Sequence, residues 1–303
     1  MLAISTTDAD LDARVKRFCA PLYATGRFLQ GGHTEQSLNA TATFVQFEGR
    51  FYAVTCHHVI AAFFSAGIEK NLSLIPTIHT GNLIHQMGSY AQDGSYQWSF
   101  LSCREFPNAQ DVCDENDAAL EACARRNGAR PDLAIADITS IWDQLKETRT
   151  AEALNLDAWN ADDQPSLQPV WMAFGFPDQH KSQVDGKVAA PMPRVSAQLE
   201  TSMDGEPETF TLCSTLESAH GWGFSGMSGG PVFAAHPDKD VIYFMGLTFE
   251  GAPASSAPSE ATSSVFLETD ICLRGYLITT SRFRKWLDLA KYGVATSIYP
   301  SDL

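Results

Sequence analysis

Residues 223–233 read Gly-Phe-Ser-Gly-Met-Ser-Gly-Gly-Pro-Val-Phe. Glycine and proline are the poorest helix formers, so this run excludes a helix. The apolar stretch PVFAA (231–235) that follows reads as a strand, making the segment a glycine-rich turn that feeds a β-strand. At average residue usage G-x-S-G-G-P arises by chance at roughly one position in a million, so the spacing needs a physical reason. One reason is purely conformational: a tight turn before a strand. The other is chemical. A nucleophilic serine needs a backbone that presents its Oγ, neighbouring N–H groups that converge on an oxyanion, and no Cβ in the way of the acyl group. Glycines on both sides of Ser228 meet the last two needs.

The rest of the chain carries the same β texture. ATATFVQF (40–47), a Glu48-Gly49 turn and RFYAVTC (50–56) read as a hairpin, and NLSLIPTIH (71–79) and DLAIADI (132–138) as further strands. The second half offers PVWMAFGF (169–176), VSAQLETS (195–202), TFTLCSTL (209–216), VIYFMGLTF (241–249) and the late runs VFLETDICL and GYLITT. Helices are expected at 8–19, at 58–66, in a surface insert around 114–127, in a connector around 141–160, and at SRFRKWLDLAKYG near the C-terminus. The last would be capped by Ser281 or Thr280 and stopped by Gly293. No 20–50-residue repeat is present.

Composition narrows the partners. Apolar residues make up 44% and charged residues 19% of the 303 positions, which excludes a disordered or low-complexity chain. Net charge is -15, a surface that repels phosphate backbones and anionic lipid heads, so nucleic acid and membrane are not expected as partners. The 7 cysteines are odd in number and scattered, with neither a disulfide framework nor a C-x-x-C zinc pair. The acidic start lacks a signal-peptide pattern, and no apolar run is long enough to span a bilayer. These features read as a cytoplasmic protein with reduced thiols.

Ser228 needs a base and an acid. Gly226 to Gly230 also fits the G-x-S-x-G elbow of α/β-hydrolases, but that fold requires serine, acid and histidine in this order. Only His236 follows Ser228, with no acid between them, so the elbow is excluded. The partners must lie upstream. VTCHHVI (54–60) offers His57 and His58 where a strand turns into a short helix, and Asp132 opens an apolar strand where an isolated acid is unexpected. A metal held by the two histidines is disfavoured, because neighbours on a strand point to opposite faces.

With these residues in hand, the chain resembles the trypsin-like (chymotrypsin-fold) serine peptidases, especially their signal-free bacterial branch. Thr55-Cys56-His57-His58-Val59 matches the family's T-A-A-H-V, Asp132-Leu133-Ala134 its D-L-A, and Gly226 to Val232 its G-x-S-G-G-P-V. Weaker echoes are Gly175-Phe176-Pro177, Gly246-Leu247 and the terminal helix with Trp286. The matches span about residues 40 to 290.

The resemblance implies a mostly β fold of two antiparallel six-stranded β-barrels, with an N-terminal helix, a helical insert and a C-terminal helix. The divisions are an N-terminal helical segment at 1–22, a first barrel at 23–140 with the insert at 103–128, and a linker at 141–165. A second barrel at 166–280 and a helix and tail at 281–303 complete them. His58 and Asp132 from the first barrel and Ser228 from the second would form a His-Asp-Ser triad for peptide-bond hydrolysis. The oxyanion would be bound by the N–H groups of Gly226 and Ser228. No metal or other cofactor is needed. The residue six before the nucleophile, Trp222, would line the primary pocket with Phe249, Glu250 and Gly251. Alternatively, loop 217–225 differs in length and Trp222 packs inside the second barrel.

The I-V-G-G amino-terminus and the disulfides of secreted relatives are missing. A protease of this kind, acting on a protein or peptide substrate in the cytoplasm, is expected to be held latent and released by a regulatory protein partner. The alternative is a catalytically idle fold serving as a protein-binding or scaffold module.

Overall fold

A computed structural model describes residues 2–5, 11–27, 39–69, 73–80, 83–90, 96–104, 130–159, 170–177, 182–184, 187–201, 208–215, 224–235, 240–253, 270–290 and 293–297. In chain order the first half holds β1 (Leu2–Ser5), α1 (Leu11–Val15), β2 (Cys19–Arg27), β3 (Asn39–Phe47), β4 (Arg50–Thr55), α2 (His57–Glu69), β5 (Ser73–Thr80), β6 (Leu83–Gln86), β7 (Gly88–Tyr90), β8 (Tyr96–Ser102) and β9 (Ala134–Asp137). The connector contains α3 (Trp142–Arg149) and β10 (Leu154–Asn155). The second half holds β11 (Trp171–Phe174), β12 (Ser182–Val184), β13 (Lys187–Ala189), β14 (Arg194–Leu199), β15 (Thr209–Thr215), β16 (Pro231–Ala235), β17 (Val241–Pro253), β18 (Asp270–Leu277), α4 (Thr280–Leu289) and β19 (Gly293–Ser297).

The second half closes on itself. β17, β16, β11, β14, β15 and β18 pair in that order, and β18 pairs back to β17, giving a six-strand antiparallel barrel. β17 serves both β16 and β18 because it bends at a bulge between Thr248 and Glu250. β1 lies outside the ring, antiparallel to the first part of β17. The first half forms a nearly closed sheet in the order β19-β8-β9-β4-β3-β2-β5-β6. The ring is carried across by Met87, between β6 and β7. Its N–H donates to Pro76 O on β5 (2.8 Å), and its C=O accepts from Ser99 N–H on β8 (2.9 Å). The fold is therefore mostly β and two-barrelled, the chymotrypsin-like architecture.

Local chemistry explains the strands that matter. β3 and β4 join through Glu48 (φ 49) and Gly49 (φ 72), two left-handed residues that make the primed turn favoured in hairpins. Along β3 the side chains alternate. Ala40, Ala42 and Phe44 enter the first core, while Val45 and Phe47 join a second core shared with Phe174, Phe233 and Phe244 of the other barrel. That shared core also receives Phe283 and Trp286 from α4. β3 thus lies between the barrels, which leaves Thr41 and Thr43 facing the second one.

Some expected elements shift. Of the helix expected at 8–19, residues 8–10 lie outside the described residues, and the rest forms α1 plus a 3-10 turn that ends at Phe18, because Cys19 already pairs in β2. The cap of α4 is Thr279, whose Oγ1 accepts from Arg282 N–H at 3.1 Å, rather than Ser281 or Thr280. The described part of the late runs forms one strand, β18, while 265–269 lie outside the described residues. Residues 105–128 of the insert, 254–264 of the small-residue loop, and Trp222 lie outside the described residues. Among the described residues no helix is long and apolar enough to cross a membrane.

Candidate active site

Residues 224–230, leading into β16, form two tight bends. Met227 N–H donates to Phe224 O (3.0 Å) and Gly230 N–H to Met227 O (2.8 Å), so Ser228 sits where one bend hands over to the next. Gly226 has φ 93 and Gly229 has φ 86, values that L side chains rarely adopt. A Cβ on Gly229 would also collide with Thr41 O, so this position is closed to other residues twice over. Among the described residues, neither the Gly226 N–H nor the Ser228 N–H has an acceptor.

The first barrel grips this turn from below. Thr41 N–H donates to Ser228 O (3.1 Å), Thr41 Oγ1 donates to Gly226 O (2.8 Å), and Thr43 Oγ1 donates to Gly229 O (2.7 Å). Phe176 N–H in turn donates to Thr41 Oγ1 (2.9 Å), and Thr55 Oγ1 to Thr41 O (2.8 Å). From the other side, Gly229 N–H and Thr248 O bond at 2.7 Å, and Thr248 N–H and Gly230 O at 2.9 Å. These bonds hold the loop carbonyls and the N–H groups of Met227, Gly229 and Gly230, leaving those of Gly226 and Ser228 without an acceptor among the described residues. β3 therefore supplies a positioning layer that the sequence did not flag. The only available signal was the alternation ATAT, which puts two hydroxyls on one face of a strand.

His58 is the second residue of α2 and half-exposed; Asp132 lies just before β9 and is 8% exposed. Asp132 Oδ1 accepts from the His58 backbone N–H at 2.9 Å, and Oδ2 faces His58 Nδ1 at 2.6 Å. His58 Nε2 lies 3.0 Å from Ser228 Oγ. An ionised carboxylate only accepts, so Nδ1 carries a proton and, in the neutral ring, Nε2 is the acceptor facing the serine hydroxyl. Burial pushes the Asp132 carboxyl up, but the hydrogen bonds and charge of His58, with Arg104 beyond, outweigh it and hold the group below its usual range. The Asp132 N–H donates to Tyr276 Oη (2.9 Å), a bond from the second barrel that the sequence did not reveal.

His57, next in sequence to His58, has a different fate. It is buried, its Nδ1 shares a hydrogen bond with Ser102 Oγ, and burial pulls its pKa down to about 4 despite the attraction of Asp132. The two histidines diverge, so no chelating pair forms. A cluster of Cys56, His58 and Asp132 has ligand atoms within 4.8 Å of one another. Burial lifts the Cys56 thiol well above its usual range, and both His58 nitrogens already face hydrogen-bond partners. A metal there would need the thiolate that burial disfavours and would have to displace those partners.

The strand flanking the loop carries Phe249, Glu250 and Gly251 one to three residues past Thr248. Phe249 packs on Tyr276 (ring centroids 4.5 Å), and Arg274 lies over Phe249 at 5.4 Å while its Nη1 meets Glu250 Oε2 at 3.0 Å. Gly251 leaves space that Phe224 fills: a Cβ there would stand 2.8 Å from Phe224 Cβ.

No family model matches the sequence, and no curated protein matches it. Solved structures align with it at low identity. A thermostable serine protease, AL20, from an extremophilic microorganism aligns over 92% of this chain and 97% of its own at 13% identity and TM-score 0.43. The protease Anisep from Arthrobacter nicotinovorans aligns over 91% and 95% at 12% identity and TM-score 0.41. Human heparin binding protein aligns over 94% of each chain at 14% identity and TM-score 0.39. What the chain does has to be read from the site itself.

Proposed function

We propose that the chain is a serine endopeptidase that cleaves peptide bonds through an acyl-enzyme. The observation that carries this reading is the unbroken hydrogen-bonded line from Asp132 through His58 to Ser228 Oγ, beside two N–H groups that have no acceptor among the described residues. As Ser228 Oγ attacks the scissile carbonyl, His58 Nε2 takes its proton. The Gly226 and Ser228 N–H groups receive the charge that develops on the carbonyl oxygen, each such donor being worth about 3–4 kcal/mol in the transition state. His58 then protonates the leaving amine and later removes a proton from the water that releases the acyl group. Asp132 keeps Nδ1 protonated and stabilises the imidazolium formed in each half-reaction.

The substrate would be a protein or peptide laid along β17, where Phe249, Glu250 and Gly251 flank the reacting serine. Regulation by a partner protein, in the cytoplasm, belongs to the same proposal. Isolated protein that digested unfolded chains as fast as trypsin would overturn the idea of restraint.

A serine-directed fluorophosphonate tests the reaction. Labelling of the wild type, its loss in Ser228→Ala and its persistence in His57→Ala would support the reading. Folded wild-type protein that takes no label would favour a binding module instead.

A further inference from the structure

We infer that Cys213 and Cys272 form a redox-active dithiol on the outer face of the second barrel, which a hydroperoxide closes into a reversible cross-strand disulfide. The inference does not rest on the serine chemistry. The two residues stand directly opposite each other in the β15–β18 ladder. In an antiparallel ladder, hydrogen-bonded and non-hydrogen-bonded pairs alternate. Leu277 N–H donates to Glu208 O, one step beyond the Thr209–Tyr276 pair, so the bonded pairs are Leu277/Glu208, Gly275/Phe210, Leu273/Leu212 and Ile271/Ser214. Cys272/Cys213 therefore falls on a non-hydrogen-bonded pair. The other side of β15 agrees: Glu200 N–H donates to Thr211 O, so Thr211 and Cys213 turn their backbone groups toward β14. In such pairs the Cα atoms approach to about 4.5 Å, within the range of about 4.4–6.8 Å that a disulfide spans.

Both thiols are within reach of solvent. Phe210, Leu212, Ile271 and Leu273 fill the barrel, while Cys213 and Cys272 alternate with them and are half-buried. The Cys272 thiol and the Glu200 carboxylate stand beside the Cys213 thiol and raise its pKa. Cys19, Cys56 and Cys103 contrast with this pair: each is buried and donates to a backbone carbonyl, of Val15, Thr248 and Trp286 respectively.

Burial, with Glu200 and Cys272 beside it, pushes the Cys213 thiol up to about 12, so its proton needs an acceptor and the Glu200 carboxylate is at hand. Either sulfur can make the first attack, and the route from Cys272 leaves Cys213 beside Glu200 as the resolving thiol. Cys272 Sγ attacks the O–O bond of the hydroperoxide, becoming a sulfenic acid and releasing water or an alcohol. Cys213 Sγ then attacks the Cys272 sulfur, its proton passing by way of Glu200 to the displaced hydroxyl, which leaves as water. In sum, two thiols lose two electrons and two protons and the hydroperoxide is reduced. Exchange with a small-molecule dithiol reverses the step.

The test uses the folded full chain treated with one equivalent of hydrogen peroxide, then alkylated and digested without reduction. The expected product is a cross-linked peptide joining Cys213 to Cys272, lighter by two hydrogens and lost on reduction. Ser228→Ala should give the same product, which separates this inference from the serine reading. Cys213→Ser should leave a sulfenic acid on Cys272 that dimedone traps, and Glu200→Gln should slow closure about tenfold. Recovery of both cysteines as separate alkylated or singly oxidised peptides from the wild type would overturn the inference. So would a cross-link to any other cysteine.

Discussion

The two walls of the cleft hold their residues by different means. The first barrel positions His58 and Asp132 with groups that titrate: a carboxylate held below its usual range, and a second histidine whose pKa burial has lowered to about 4. Opposite them, the turn around Ser228 is held by threonine hydroxyls and backbone bonds, which carry no charge at any working pH. The contrast separates two sensitivities. Acid reaches the site through the wall of His58 and Asp132, whereas errors of position reach it through the turn around Ser228.

The largest effect should come from breaking the line that joins the walls. Ser228→Ala or His58→Ala should lower kcat on the order of 10⁴- to 10⁶-fold, and the double variant should be little worse than either alone. Asp132→Asn should cost about 10⁴-fold, because the amide can stabilise the wrong tautomer. Steady-state kinetics on a peptide found by library profiling would measure all of these. Additive losses would mean that the residues do not act together.

What was legible beforehand follows the same division. His58, Asp132 and Ser228 could be picked out because each sits in a short motif whose chemistry is local. The Glu48-Gly49 hairpin could be read because its turn needs left-handed residues. Thr41 and Tyr276 could not. Their bonds join positions 185 and 144 residues apart, and a threonine or tyrosine in a strand is unremarkable on its own. Edge pairings were hidden for a related reason. That β1 joins β17 and β19 joins β8 depends on which ladder is left open after the barrels form, which local pattern does not encode.

Thr41 gives the next prediction: from β3 of the first barrel it holds the Ser228 turn with groups that do not titrate. Thr41→Val keeps the shape but removes the hydroxyl that holds Gly226 O. Losing this bond and the one that Thr41 Oγ1 accepts from Phe176 N–H should lower kcat about tenfold to a hundredfold with KM little changed. Affinity for a boronate that mimics the tetrahedral intermediate should fall in parallel, and Thr41→Ser should recover most of both. An unchanged shape of the pH profile would separate this role from that of the titrating wall. Loss of stability without loss of boronate affinity would make Thr41 merely structural.

His57 probes the titrating wall. Its folded pKa of about 4 lies below the unfolded value near 6.5, so the unfolded chain takes up the proton first as the pH falls. The stability is therefore complete above pH 6.5 and is lost between about 6.5 and 4, by about 3 kcal/mol at most. Asp132, also lowered on folding, adds a further loss as the pH drops through its folded value. Thermal melts across this range should show the decline, and His57→Gln should flatten it above pH 4 while leaving kcat at neutral pH within a few-fold. An equally steep decline in the variant would move the acid sensitivity elsewhere.

The smallest effect belongs to a bond that ties one wall to the other. Tyr276 Oη accepts the Asp132 N–H, so β18 of the second barrel steadies the acid of the first. Tyr276→Phe keeps the ring against Phe249 and leaves that N–H without its acceptor, costing about 1–3 kcal/mol of stability. The carboxylate keeps both bonds from His58, so the imidazole should stay oriented and kcat should fall only a few-fold. Chemical denaturation and kcat measured on the same preparation distinguish the two roles. A loss of kcat as large as that of Asp132→Asn would mean that the acid is held chiefly from across the cleft, and the division between the walls would fail at this residue.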